Sequence, residues 1–94
     1  ENCIKLIDLH DHALVSFRCY ESMYTAINGM IPLPADNEKE VGCHAVNIIG
    51  YSRETGYFKF ANSWGEEWGD RGFGYLPFEY FKNGRIVEMY AAIF

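Results

Sequence analysis

Two polar side chains in this sequence could share a proton-transfer task. His44 stands in "GCHAVNIIGY" and Asn62 in "KFANSWGEEWG". An imidazole serving as general base for a thiol must offer one ring nitrogen to the nucleophile while the other is held. A carboxamide oxygen accepting the second N–H fixes tautomer and ring plane without adding a negative charge. Trp64, shortly after Asn62, could cover that hydrogen bond and exclude water, which strengthens it. The nucleophile is harder to find. Cys43 adjoins His44, and neighbouring strand residues point to opposite faces, so it cannot readily bond that ring. Cys19 follows an apolar strand and Cys3 lies in a helical stretch; neither matches the helix N-terminus that would activate a thiol.

The strands must bring the pair together. Tyr51 and Tyr57 read as the closing pair of a hairpin around "SRETG". Counting back from that pair sets Val46 opposite Asn62 and Ile48 opposite Phe60. Side chains alternate with period two, so His44, Val46, Phe60 and Asn62 share one face, with His44 diagonal to Asn62. Diagonal neighbours lie roughly 7–8 Å apart at Cα, within reach of long side chains. A slip of one residue in register would separate them.

Around this hairpin the pattern is mixed. "CIKLIDL" predicts a short helix and "ALVSF", Ala13 to Phe17, a buried strand. "YESMYTAI" predicts a second short helix, ended by a turn at Asn28-Gly29. "IPLPADNEKE" is a surface loop. From Gly42 the chain reads as strands: "CHAVNIIGY", "YFKFAN", "GFGYLP" and, after one helical turn in "FEYFKNG", "RIVEMYAAIF". The expected fold class is α+β, an antiparallel β half-barrel with short helices, in one domain over residues 1–94.

Composition narrows the classes of function. With 49% apolar and 17% aromatic residues, the sequence fits a packed globule or part of a larger one rather than a solvated tail. A net charge of −5 disfavours nucleic acid and anionic membrane surfaces as partners. Apolar runs such as "AVNIIGY" are too short to span a bilayer. No signal peptide is legible, and the start at "ENC" without Met suggests a processed product or an excised piece. The odd, widely spaced Cys3, Cys19 and Cys43 fit neither a dense disulfide framework nor a zinc ribbon. One bridge with a free thiol and three free thiols both stay open.

Other clusters have plainer readings. "DLHDH" gathers Asp8, His10, Asp11 and His12 but lacks a distant third ligand, so it reads as a solvated connector, and no metal or other cofactor is expected. "DNEKE" and the acidic residues of "GEEWGD" read as surface charge, because a calcium loop needs more regular oxygen spacing.

"HAVNIIGY" followed by "NSWGEEWGDRGFGYLP" resembles the C-terminal half of papain-like cysteine proteases, whose pattern is HAV-x-x-x-GY and then NSWG-x-x-WG-x-x-G. The upstream "IKLIDLHDHALVSFRCYESMYTAINGMIPLP" resembles the helix, strand and loop before that histidine. The resemblance implies the sheet-rich half of the papain-like fold. It implies His44 as catalytic base, Asn62 as its orienting partner and Trp64 as the shield. Trp68 would line the leaving-group side of the cleft, with Phe17 and Ala45 near the main specificity pocket. The family's nucleophile block, Q-x-x-x-C-G-x-C-W, is absent. It normally lies more than about one hundred residues upstream of the histidine. The resemblance therefore implies peptide-bond hydrolysis completed by a Cys-bearing N-terminal half, acting on peptide or protein substrates. A non-catalytic domain of the same scaffold, binding a peptide or protein, is the alternative. An exposed half-cleft also raises the expectation of self-association or strand exchange.

Overall fold

The structure, a computed structural model, describes residues 2–24, 26–82 and 84–91. Its element order is helix α1 (Asn2–His10), strands β1 (Ala13–Tyr20), β2 (Glu40–Ser52), β3 (Tyr57–Ala61), β4 (Phe73–Pro77) and β5 (Ile86–Tyr90). One five-stranded sheet in the order β4-β3-β2-β1-β5 carries all the strands, each pair antiparallel. Sheet and helix together make the α+β class expected from the sequence. The second expected helix shrinks to a single 3-10 turn, Glu21–Met23. Only Met23 of that turn is buried, too little apolar surface to hold a longer helix against the sheet. The expected turn in "FEYFKNG" is a 3-10 segment at Phe78–Phe81; Asn83 and the end of the last expected strand, residues 92–94, lie outside the described residues. No described helix is long and apolar enough to cross a membrane.

Helix α1 buries Cys3, Ile4 and Ile7, which its period places on one side. It stops where Asp11 adopts a left-handed backbone (φ 67°) and its N–H closes onto Ile7 O at 2.8 Å. That buried side packs on the sheet face made by Ala13, Val15, Phe17, Val46, Ile48, Phe58, Phe60 and Leu76. Tyr80 completes the core, its hydroxyl donating to Arg18 O at 2.5 Å. Burying the ring with its hydroxyl bonded avoids the cost of an unpaired polar group.

The β2–β3 hairpin departs from the expected closing pair in an instructive way. Ser52 pairs with Tyr57 and Tyr51 with Phe58, so the loop is Arg53–Gly56, tied by Gly56 N–H to Ser52 O at 2.9 Å. The register then shifts between Ile48 and Gly50, leaving Ile49 as a bulge, and resumes with Ile48 opposite Phe60 and Asn47 opposite Ala61. The extra residue expected in the turn sits in the strand instead. Parity at the His44 end is the same either way.

Loop 31–40 is fixed at both ends. Ile31 N–H donates to Tyr75 O at 2.9 Å. The Glu38 carboxylate accepts from the backbone N–H of Ser22 at 2.8 Å and of Ala35 at 3.2 Å. These bonds, Ser22 first, hold the Glu38 carboxyl below its ordinary range.

Gly74 faces Phe60 across the β3–β4 pair. A Cβ there would stand 2.3 Å from the Phe60 ring, which fills the space a side chain would need. Gly74→Ala is expected to destabilise the domain by about 1–3 kcal/mol, read as a lower thermal midpoint. An unchanged midpoint would show that the Phe60 ring is free to move aside.

Candidate active site

Strand β2 delivers His44 and the end of β3 delivers Asn62. His44 stands opposite Phe17 of β1, on the core side of the sheet but near the strand's exposed start. Asn62 follows Ala61, and its backbone N–H is bonded to Gly72 O at 2.9 Å, which closes the loop 62–72 on itself. The side chains meet: His44 Nε2 lies 2.7 Å from Asn62 Oδ1.

Local bonding fixes the direction of the proton. Asn62 Oδ1 is also 2.8 Å from the backbone N–H of Ser63. A backbone N–H only donates, so the amide atom there is the oxygen, and His44 Nε2 must carry the hydrogen it shares with it. In the neutral ring, Nδ1 then keeps its lone pair. It has no hydrogen-bond partner among the described residues. The imidazole is thus oriented by one nitrogen and open at the other, an arrangement that suits a general base.

Aromatic rings contact the imidazole from two sides. Phe17 presents an edge-on contact at 6.1 Å between ring centroids, with an interplanar angle of 83°. Trp64 lies over the imidazole at 4.9 Å and 35°. Trp68 meets Trp64 edge-on at 5.3 Å and also packs on Phe60 at 6.1 Å. Tyr24, from the segment after the 3-10 turn, stacks on Trp64 at 5.7 Å and 15°. The Asn62 Nδ2 atom is buried without a hydrogen-bond partner among the described residues.

The residues singled out from sequence divide by sheet face. His44, Asn62 and Trp64 come together, and Trp68 backs Trp64 as a half-buried bridge to the core. Phe17, expected near a specificity pocket, is 0% exposed and forms the floor under His44. Ala45 points the other way, because β2 alternates. With Leu14, Ser16, Asn47, Ala61 and Ser63 it lines a cavity of about 190 Å³ on the opposite face. The Asn47 Oδ1 atom is buried there without a hydrogen-bond partner among the described residues. Tyr24 was not legible: its segment reads as helix, and nothing local to it points towards a tryptophan forty residues on.

One connector carboxylate and one from the acidic loop are hydrogen-bonded elsewhere. Asp8 accepts from Tyr51 Oη at 2.7 Å, and Asp70 from Tyr75 Oη at 2.7 Å. Among the described residues no three of His, Cys, Asp and Glu group so as to hold a metal ion.

None of the three thiols serves His44. All are free; Cys43 is exposed but lies on the Arg18 side of the sheet, facing away from the imidazole. Cys3 and Cys19 are in the core, where burial pushes both thiols from 9.0 up to about 11. Alkylation of the native chain is therefore expected to label Cys43 alone, with the other two reacting on unfolding, as read by mass spectrometry. The raised thiols also carry a stability signature. Above pH 9.0 the unfolded thiols ionise while the folded ones stay protonated, so stability is lost as pH rises from 9.0 towards about 11. A flat thermal midpoint across that window would show the two thiols to be solvated.

Known proteins resemble this chain in sequence and in fold. The family model described as "Papain family cysteine protease" matches residues 2–92. An uncharacterized peptidase C1-like protein of Acanthamoeba polyphaga mimivirus is 33% identical over 74 residues, covering 79% of this chain and 24% of that protein. Peptidase 1 of Psoroptes ovis is 41% identical over 65 residues, covering 67% of this chain and 18% of its own length. The crystal structure of xylellain, a cysteine protease from Xylella fastidiosa, superposes with a TM-score of 0.81 at 30% identity, over 89% of this chain and 32% of that one. The chain thus spans about a fifth of the length of the curated relatives it matches.

Proposed function

Since the chain belongs to the papain family of cysteine proteases, matched over residues 2–92, we propose that it supplies the general base and its orienting amide to a peptide-hydrolysing thiol enzyme. The observation that carries this reading is the His44 Nε2–Asn62 Oδ1 bond at 2.7 Å, which leaves Nδ1 open. The nucleophile is a cysteine on a second, N-terminal half. Cys43 faces away from His44, and Cys3 and Cys19 are buried and held protonated.

The reaction follows from the proton's path. His44 Nδ1 takes the thiol proton, giving a thiolate beside an imidazolium whose Nε2–H remains bonded to Asn62. The thiolate attacks the peptide carbonyl, and the imidazolium returns its proton to the leaving amine as the C–N bond breaks. Water then hydrolyses the thioester, with His44 again accepting a proton. Asn62 adds no charge, so it steers the ring without neutralising it. Trp64 keeps water from the Nε2–H, and a drier hydrogen bond is a firmer one.

The second half docks on the open sheet face. Leu14, Ser16, Ala45, Asn47, Ala61 and Ser63 line a shallow cavity there, and the unpartnered Asn47 Oδ1 offers an acceptor. Burying such an atom without a partner costs about 1–3 kcal/mol, so an incoming donor is favoured. A module that only bound peptides would have no need for an imidazole held by one nitrogen and open at the other.

Complementation tests this reading. The chain alone is expected to leave peptide amides intact, and addition of the Cys-bearing half to give hydrolysis that thiol alkylation abolishes. In the complemented enzyme His44→Ala should lower kcat by about 10²–10⁴-fold, and Asn62→Ala by about 10²-fold through a misplaced base. Hydrolysis by the isolated chain through one of its own cysteines would sink the two-piece site.

A further inference from the structure

We propose that Tyr24 is a positioning residue, acting on His44 through Trp64. Tyr24 is 59% exposed and contributes nothing to the core. Its one ring contact among the described residues is with Trp64, nearly parallel at 15° and 5.7 Å between centroids. It makes no ring contact with His44 itself, so any influence on the base passes through the indole. Trp64, in turn, is 38% exposed and sits on a loop. Trp68 steadies it only edge-on, at 84°. An indole held that loosely can swing off the imidazole, and parallel stacking supplies the missing constraint on its plane.

The backbone under Tyr24 is built to hold still. Met23, its neighbour, is 1% exposed in the core. Tyr24 N–H bonds to Glu21 O at 3.1 Å, and two residues earlier Ser22 N–H is held by Glu38 at 2.8 Å. A tyrosine needs only two side-chain torsions fixed once its backbone is pinned, so little entropy opposes the stack. The surface loop 31–40 thereby reaches the base in a chain of contacts: Glu38 to Ser22, Tyr24 to Trp64, Trp64 to His44. With no part in the core, the Tyr24 ring acts through its stack on Trp64, which keeps the cover closed over the Nε2–H.

This role rests on His44 being the base proposed above, but its readout is a proton on His44 in this chain alone. It can fail while complementation succeeds, and complementation can fail while it holds. The measurement is solvent exchange of the His44 Nε2 proton, by nitrogen-15 NMR of histidine-labelled protein, with His44→Ala to assign the signal. Tyr24→Ala is expected to speed that exchange roughly two- to ten-fold, the range an aromatic pair's stabilisation allows, while the core amide of Ile48 stays as protected as before. Tyr24→Phe, which keeps the ring and loses the hydroxyl, should restore the slow exchange. Should Tyr24→Ala loosen the core amides as well, Tyr24→Gln takes its place with the same expectation. Exchange at the original rate in the ring-less variant, or Tyr24→Phe behaving like it, would overturn the proposal.

Discussion

One unpaired residue decides whether this sheet has a candidate active site. Ser52 pairs with Tyr57, and carried on unbroken that register would set Asn62 opposite Asn47, on the face away from His44. The bulge at Ile49 takes up one residue of β2 without advancing β3, so Asn47 meets Ala61 and Asn62 falls level with Val46. Every later feature depends on that count. The 2.7 Å bond, the indole above it and the phenyl below it all need His44 and Asn62 on one face. The cost is modest: Ile49 is left 39% exposed, a solvent-facing apolar side chain of a kind folded proteins commonly tolerate.

The two faces of the sheet have different characters, and this separates the tasks. The inner face is aromatic and closed, with Phe17 in edge contact with both Phe60 and Tyr80. Rigid packing there fixes the imidazole from beneath, since interiors this dense yield little to side-chain motion. The outer face around Ala45 is more open, with Ser16, Asn47 and Ser63 beside Leu14 lining a cavity. Alternation along β2 assigns His44 to the first and its neighbour Ala45 to the second. A single strand thus carries the imidazole on one face and the cavity lining on the other.

Much of this was legible in the sequence, for reasons that differ from residue to residue. His44, Asn62 and Trp64 stood out because hairpin pairing and period-two alternation are local rules that a register count can follow. That count reached the right parity with the inserted residue in the wrong place, since an extra residue in the turn or in the strand has the same effect further along. Phe17 and Ala45 were both expected near a pocket, yet the pairing of Phe17 with His44 puts it in the core. Only the relative register of β1 and β2 separates the two, and that pairing joins strands with a long loop between them. Tyr24 escaped for a related reason. Its stack on Trp64 depends on where loop 31–40 anchors the chain, which no local pattern encodes. The short 3-10 turn in place of a helix shows tertiary packing overriding a periodic reading.

The His44–Asn62 bond closes within one hairpin. Chain entropy penalises a contact by the length of loop it closes, and a hairpin's loop is short, so this pair is assembled by neighbours rather than by the fold at large. On the function proposed above, the thiol would come from a separate packing unit, and its alignment would depend on how two bodies meet. On that proposal, orienting the imidazole and delivering the thiol fail independently. A change inside β2 or β3 disturbs the His44–Asn62 pair wherever the thiol stands, while a change on the Ala45 face leaves that pair intact.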